Sequence, residues 1–455
     1  MDNGKQRNGA WVDLERGIVS REIFVNEDIY RSELERIFPR TWLFVGHESQ
    51  VPEAGDFFLS RMGEESVIVT RDPQHGIHVL LNTCRHRGMK VCRYDQGNTS
   101  VFTCPYHGWS YSTDGGLVAR PGDLYGVPQY RAGYREQLDK SEWGLIHVPQ
   151  MEVYKGTIWA TWDESGPSFA DYLGGMRLYL DALLDARDGS EGGCEVLGGV
   201  VKWRMPCNWK FAAENFAWDT YHSPTTHKSA EIAGLGPGGE GQERHGAAHK
   251  NQAKRFTSGL LAFPALGHAT ITGPPAVGAE ALFPEFPNDP LVAEYFKEVE
   301  AKRRERLEGK VTVTPGNGNI FPNTAFHPWF PRTMVVWHPV GPAQTEAWRW
   351  YLVDRDAPWE VKDLLRRYYM RFSGPAGMVE SDDMDNWVYA TEASRGTIAR
   401  RYPYHYGMGL GFAEPVENLP DAVTVKASFS EEGARAFYGR WSELMNDKPN
   451  FPRAS

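Results

Sequence analysis

Residues 84–107 read CRHRGMKVCRYDQGNTSVFTCPYH: Cys-x-His, 17 intervening residues, then Cys-x-x-His. Each arm offers one thiolate and one imidazole. Two such arms serve one centre only if they lie on neighbouring loops, so the fold must bring them side by side. The surrounding chain is of a kind that does this. Between Trp42 and about Trp162, short β-rich runs appear at 66–70, 78–83, 100–104 and 156–162. Turn residues separate them, including Asp95–Asn98 and Asp114–Gly116, and the stretch reads as a small all-β domain.

Zinc modules usually pair like ligands, a Cys pair followed by a His pair, and these arms do not. Mixed arms can place both thiolates on one iron and both imidazoles on the other, the division that defines a Rieske [2Fe–2S] centre. Cys84, His86, Cys104 and His107 are therefore the expected cluster ligands, with a structural zinc site as the alternative. Exchanging two thiolates for neutral imidazoles raises the potential to roughly −150 to +300 mV, against about −400 mV for plant-type clusters. Cys92 reads as a buried thiol. Arg85, Arg87, Lys90 and Arg93 make a basic cluster that either docks an acidic electron donor or is simply solvated.

A chain of 455 residues is longer than one core usually organises. The expected division is a cluster domain over 42–165, inserted in a catalytic domain made of 1–41 and 166–455. The second is expected to be α+β, an antiparallel sheet flanked by helices. Helices are expected at 28–40, with Asn26 or Asp28 as cap, at 169–187, and at 358–372 from Pro358. A last helix is expected to open on the pair Ser428 and Glu431. Strands at 333–340 and 347–353 alternate as in a half-buried sheet. Net charge of −10 argues against nucleic acid as a partner. No apolar run nears the roughly 20 residues of a membrane span, and the N-terminus does not read as a secretory signal, so a cytoplasmic protein is expected. Gly234, Gly236 and Gly239 match G-x-G-x-x-G, but no strand precedes them, and a loop is expected rather than a dinucleotide site.

A second dense block is NWKFAAENFAWDTYHSPTTH, residues 208–227. His222 and His227 are five apart, which a straight helix would not converge, although Pro224 between them could turn the second back. Two imidazoles and one carboxylate with open positions form the facial triad of non-haem Fe(II) oxygenases. The run ESDDMDNW (380–387) offers Asp382, Asp383 and Asp385, and the residues alone do not choose among them.

Together, the two arms, E-N-x-x-D-x-x-H-x4-H at 214–227, IFPN at 320–323 and GPAG-x-x-ESDD at 374–383 resemble the large catalytic subunit of Rieske-type aromatic ring-hydroxylating dioxygenases, the naphthalene and biphenyl dioxygenase group. The resemblance covers nearly the whole chain. It implies a [2Fe–2S] cluster and a mononuclear Fe(II) held by His222, His227 and Asp383. Asp219 resembles the carboxylate that links an iron-binding histidine to the cluster ligand His107 of a neighbouring subunit, and Asn215 the asparagine beside the iron. An α3β3 or α3 ring is implied, as are a ferredoxin and an NADH-dependent reductase as electron donors. The implied reaction is cis-dihydroxylation of an aromatic ring by O2.

Around the expected pocket the chain departs from naphthalene dioxygenase. Ala217 and Trp218 stand where a small Val-Gly pair is usual, Met378 and Val379 where Phe-Trp is usual, and His327 where a leucine is usual. Phe216, Trp218, Phe326, His327, Phe330, Ser373 and Met378 are the expected pocket residues, with Trp329 beside them. Lost bulk at 378–379 favours a polycyclic hydrocarbon. His327 and Arg332, facing inward, would favour an aromatic carboxylate such as phthalate or benzoate. A monooxygenase or demethylase with the same metals, and a non-catalytic electron carrier, are the other readings.

Overall fold

Short antiparallel strands make up most of the first third of the chain, and one large sheet organises the rest. The computed structural model describes residues 11–118, 126–219, 221–232, 260–277, 289–314, 316–328, 332–426 and 429–447. Phe38–Phe169 form one compact unit; the described residues up to Ile37 and from Ala170 onward form another. The glycine run at 234–239, Ser428, Trp329 and Phe330 lie outside the described residues.

The Phe38–Phe169 unit is built of three antiparallel sheets. In one, the spatial order is Ile77–Leu81, Glu65–Arg71, Asp56–Met62, Gln96–Asn98. In the second it is Leu117–Val118, Ser110–Ser112, Val101–Thr103, and in the third Gln150–Tyr154, Thr157–Thr161, Leu43–His47. Each β-rich run read from the sequence overlaps one of these strands. Ile68, Leu80, Phe102, Trp109 and Tyr111 pack into one core with Cys84 and Cys104. The first cysteine follows the strand Ile77–Leu81, and the second stands in the connection between Val101–Thr103 and Ser110–Ser112.

The other unit is organised by a nine-stranded sheet, antiparallel throughout. Its order is Cys194–Met205, Thr345–Asp354, Thr333–Pro339, Thr324–His327, Gly318–Ile320, His268–Thr270, Leu260–Phe263, Leu419–Val425, Glu414–Val416. Thr333–Pro339 and Thr345–Asp354 are not half-buried, as their alternation suggested. Every residue of both is buried, and polar members of the pattern find partners inside the protein. Arg349, for example, donates to Thr333 Oγ1 at 2.8 Å.

The helices follow the sequence signals with local corrections. Glu27–Arg36 is capped by Asn26, whose side chain accepts from the backbone N–H of Asp28 and Ile29. The segment 169–187 divides into Phe169–Leu173 and Arg177–Leu184 around a 3-10 turn at Gly174–Met176. Pro358 caps Trp359–Phe372 instead of opening it. The last helix is Glu432–Asn446, and its first N–H is met by Ser430 Oγ at 3.1 Å. Glu431 provides no side-chain cap there.

The helix Trp209–Trp218 is buried at every residue but Asn215. It is anchored by a sealed ion pair: Lys210 Nζ lies 2.6 Å from Glu33 Oε1, with both side chains at zero exposure. Trp209 Nε1 donates to Glu33 Oε2 at 2.9 Å and Trp441 Nε1 to Oε1 at 2.8 Å. Removing one member of such a pair leaves an uncompensated buried charge, at about 3–5 kcal/mol. Lys210→Met should lower stability by that order, read as a drop in the urea denaturation midpoint. Loss of less than about 1 kcal/mol would show that the pair is not sealed from water as described.

Candidate metal centres and active site

Both cysteine-bearing arms close the same backbone turn. Cys84 N–H donates to Met89 O at 2.8 Å and Gly88 N–H to Cys84 O at 2.9 Å; Cys104 N–H donates to Trp109 O at 2.8 Å and Gly108 N–H to Cys104 O at 3.0 Å. The glycine four residues after each cysteine has a positive φ, +71° and +75°, a conformation that costs other residues about 1–2 kcal/mol. That shared Cys-x3-Gly pattern was readable in the sequence and is a signal the ligand spacing alone misses.

The turns sort the ligands into two pairs. The Cys84 and Cys104 thiols adjoin each other and are buried. The His86 and His107 rings sit with centroids 4.6 Å apart, and His86 Nδ1 is buried without a hydrogen-bond partner. Among the described residues, only His222, His227 and Asp383 bring three metal-ligating atoms within 4.8 Å of one another. The four residues of the arms are thus two pairs and not one convergent set, which suits a two-iron cluster better than a single zinc. Trp109 stacks on His86 at 5.1 Å and 5°, so it packs against an expected ligand as well as belonging to the core. Tyr111 was not anticipated. Its oxygen accepts Arg85 N–H at 3.1 Å and lies 3.3 Å from Cys84 Sγ. With the backbone donor on its oxygen, its own hydrogen is free to point at the sulfur. Burial and the Cys84 sulfur hold the Tyr111 hydroxyl protonated. Of the basic cluster, Arg87, Lys90 and Arg93 are exposed, whereas Arg85 donates to Gly144 O at 3.1 Å and lies over Trp143.

The second centre is assembled from the end of Trp209–Trp218, a one-turn helix Ser223–Thr226 and the helix Glu380–Ser394. Pro224 starts the short helix instead of kinking a longer one, and His222 and His227 bracket it at its two ends. Their separation by five residues is thereby turned into convergence. His222 Nε2 and His227 Nε2 are 3.1 Å apart, and Asp383 Oδ1 lies 3.1 Å from the first and 3.3 Å from the second. First-row divalent ions take nitrogen and oxygen ligands at about 2.0–2.2 Å, and two at right angles then sit about 3.0 Å apart. The triangle has the size of one octahedral face. Asp383 Oδ1 is buried without a qualifying hydrogen bond, as an atom reserved for a cation would be.

Carboxylates stand behind both imidazoles. Asp219 accepts His222 N–H at 3.2 Å through Oδ1 and faces His222 Nδ1 at 3.3 Å through Oδ2. Asp382 Oδ2 lies 3.6 Å from His227 Nδ1 and accepts from Ser229 Oγ at 3.3 Å. Burial opposes charge on His222, but the hydrogen bonds and charges of Asp219 and Asp383 outweigh it and push its pKa up to about 10. Asn386 donates to Thr226 Oγ1 at 3.0 Å and cross-links the two segments.

These two centres are matched by the comparisons with known proteins. Residues 41–131 match the Rieske [2Fe-2S] domain, and residues 175–447 match the ring hydroxylating alpha subunit (catalytic domain). The chain belongs to the ring-hydroxylating alpha-subunit family. It is 39% identical over 440 residues to the alpha subunit of biphenyl 2,3-dioxygenase from Rhodococcus jostii (strain RHA1), covering 95% of this chain and 90% of that one. Identity is 38% over 442 residues to the alpha subunit of benzene 1,2-dioxygenase from Pseudomonas putida, covering 95% and 92%. It is 34% over 456 residues to the alpha subunit of an N,N-dimethyl phenylurea N-demethylase from Sphingobium sp. (strain YBL2), covering 96% and 94%. Among solved structures, naphthalene 1,2-dioxygenase from Rhodococcus sp. bound to indole aligns with a TM-score of 0.78 at 33% identity, covering 95% of this chain and 97% of that one. As a ring-hydroxylating alpha subunit the chain is an oxidoreductase of the Rieske dioxygenase family, with a [2Fe–2S] cluster and a mononuclear iron. It is one component of a system with a beta subunit and electron-transfer proteins.

The expected pocket residues of this alpha subunit fall into two groups. Phe216, Trp218 and Phe326 are buried; Phe216 packs on Trp337 at 5.7 Å and Trp218 on Tyr406 at 6.2 Å. Ser373 is buried with its hydroxyl directed to Tyr351 and the Tyr369 carbonyl. Met378, by contrast, is 44% exposed: it stands at the turn before the Glu380–Ser394 helix, not inside the unit. His327 is half-buried, 6.4 Å from Phe372. Arg332 does not face a pocket. Its guanidinium is taken by Asp354 at 2.8 Å and by the Leu183 and Asp185 carbonyls.

Glu214 was also missed. It is buried, accepts from Tyr406 at 3.1 Å and contacts the Tyr438 hydroxyl. Burial pushes its carboxyl up to about 8, the two hydroxyls holding it lower than burial alone would. A pKa raised on folding adds stability that is present in full below the unfolded value and is lost as pH rises through the folded one. The alpha subunit should lose stability between about pH 5 and pH 8 relative to Glu214→Gln, measured as thermal midpoints across that range. Parallel midpoints would refute the assignment. For the cluster, Tyr111→Phe removes the hydroxyl that favours the extra electron on the reduced cluster. The potential should fall by tens of millivolts in a spectroelectrochemical titration, with the cluster spectrum otherwise kept.

Proposed function

We propose that this alpha subunit adds both atoms of O2 to the ring of an aromatic hydrocarbon, giving a cis-dihydrodiol. The observation that carries the reading is the triangle of His222 Nε2, His227 Nε2 and Asp383 Oδ1, in a chain that also holds the paired cysteines and histidines of a cluster. On this reading His222, His227 and Asp383 hold the mononuclear iron, and Cys84, His86, Cys104 and His107 hold the cluster. Bound there, Fe(II) with open positions supplies oxygen activation and the cluster supplies electrons one at a time.

The chain's own residues orient and exclude. Asp219 fixes the His222 ring through Nδ1, so that Nε2 faces the metal. It is 22% exposed, and on this reading its open side would meet the cluster ligand His107 of a neighbouring subunit. Asn215, one turn before Asp219 and the one residue of its helix not buried, would stand beside the iron. Phe216, Trp218 and Phe326 form an apolar wall, and His327 and Ser373 stand with them as the residues from which specificity would come. The captured guanidinium of Arg332 favours a hydrocarbon over an aromatic carboxylate. The names of the biphenyl and benzene relatives point the same way. Electrons would come from NADH through a reductase and a ferredoxin, and the assembly would be an α3β3 hexamer or an α3 ring in the cytoplasm. The N-demethylase relative makes single-oxygen chemistry the competing reading.

Incubation with oxygen-18 gas and donor proteins decides between them. The panel is naphthalene, phenanthrene, biphenyl, phthalate, benzoate and an N-methyl arylurea. Hydrocarbon dihydrodiols carrying two labelled atoms are expected; a single labelled atom or formaldehyde release as the main outcome would overturn the proposal. Asp219→Ala should abolish turnover while the cluster spectrum and the bound mononuclear iron persist. Full activity in that variant would remove Asp219 from the electron route.

A further inference from the structure

Asp383 is delivered by the first turn of Glu380–Ser394, and that turn has no ordinary cap, since Val379 at the N-cap position makes no side-chain bond. A buried pair fixes the start instead. Glu380 Oε1 meets Arg349 Nη2, and Glu380 Oε2 accepts Gly374 N–H at 2.5 Å. Arg349 stands on the sheet strand Thr345–Asp354. Its Nη1 donates to Thr333 Oγ1 at 2.8 Å, and its guanidinium carbon lies 5.8 Å and 6.0 Å from the Trp203 and Phe216 rings. The two side chains are 2% and 4% exposed.

A buried ion pair is weak evidence for stability, because well-packed apolar residues often do as well or better. Its placement here supplies another reason. Glu380 and Asp383 are three residues apart on one helix face, so the bond that draws Glu380 onto the sheet also sets where Asp383 Oδ1 stands relative to the two imidazoles. We propose that Arg349 and Glu380 are positioning residues for the mononuclear iron, tying the helix start to the sheet so that Asp383 completes the triangle. The proposal rests on the reading of Asp383 as a ligand.

The test uses the oxygenase as isolated, its cluster intact and its mononuclear iron removed by mild chelation, with Fe(II) binding followed anaerobically by equilibrium dialysis. Arg349→Met combined with Glu380→Met removes both charges. It should keep the cluster spectrum and thermal midpoint yet bind Fe(II) roughly 10–100-fold more weakly, the usual cost of losing an outer support. Glu380→Asp, which keeps both charges and shortens the reach, should weaken binding in the same direction. Wild-type affinity in a folded double variant overturns the proposal; where that variant does not fold, wild-type affinity in Glu380→Asp does so. Asp383→Ala separates the two readings. If it too binds Fe(II) normally, the ligand assignment falls and the proposal with it. If it loses the iron while the other variants retain theirs, the positioning role alone fails.

Discussion

One carboxylate, Glu33, holds together three helices that are far apart in the chain. Both of its oxygens are filled, Oε1 by Lys210 and Trp441 and Oε2 by Trp209. Burying an ion pair costs several kcal/mol per charge, and the attraction repays it only when the remaining lone pairs are satisfied. The two indoles do that. Burial also pulls the Lys210 ammonium pKa down, opposed chiefly by the Glu33 charge, so the cation depends on its partner to stay charged. The consequence reaches the active site. Lys210 lies in the first turn of Trp209–Trp218, whose far end is Asp219, and Asp219 sets His222. A residue that precedes the cluster-bearing segment in the chain thereby helps place the histidines that follow it.

The two metal centres reach order by different routes. At the cluster, ligands come from two short turns whose backbone hydrogen bonds are the same in both, so little besides glycine and close packing is needed. At the expected iron site, the candidate ligands come from segments more than 150 residues apart and must be brought together by tertiary contacts. The Asn386–Thr226 bond and the Ser229–Asp382 bond join the segments beside the ligands. Asn208, which caps Trp209–Trp218, takes the Thr391 hydroxyl on its own N–H at 3.0 Å. The helix of the carboxylate ligand is therefore tied to the helix that leads to the histidines.

This contrast explains what could be read from the residues in advance. The arms at 84–107 and the short strands around them are local features, set by spacing and turn chemistry, and they were legible. The histidine pair was legible, and so was its convergence through Pro224, but not the route: Pro224 was weighed as a kink or helix end, and it stands at the start of a short helix. Asp383 could not be told from Asp382 by residue type, since both carboxylates act at the site and the helix phase decides which one faces the imidazole Nε2 atoms. The buried polar partners, Glu33, Glu214, Arg349 and Glu380, were illegible for a further reason. A charged residue in an alternating strand or helix looks solvent-facing until the partners that satisfy it are known, and those partners lie up to 408 residues away.

The same accounting bears on the substrate. A carboxylate taken into an apolar site needs a cation left over by the fold. Among the described residues, every buried lysine or arginine is already engaged: Lys210 by Glu33, Arg332 by Asp354, Arg349 by Glu380, Arg435 by Glu432 and the Tyr406 and Met408 carbonyls, and Arg187 by Tyr369. Freeing one would strand its partner, at a cost of several kcal/mol. A neutral ring makes no such demand, and the aromatic side chains of the Trp209–Trp218 helix and the strands beside it provide the surface it requires. On the proposed reading, an apolar substrate would follow from the fold's use of its cations in structure, as much as from the residues expected at the pocket wall.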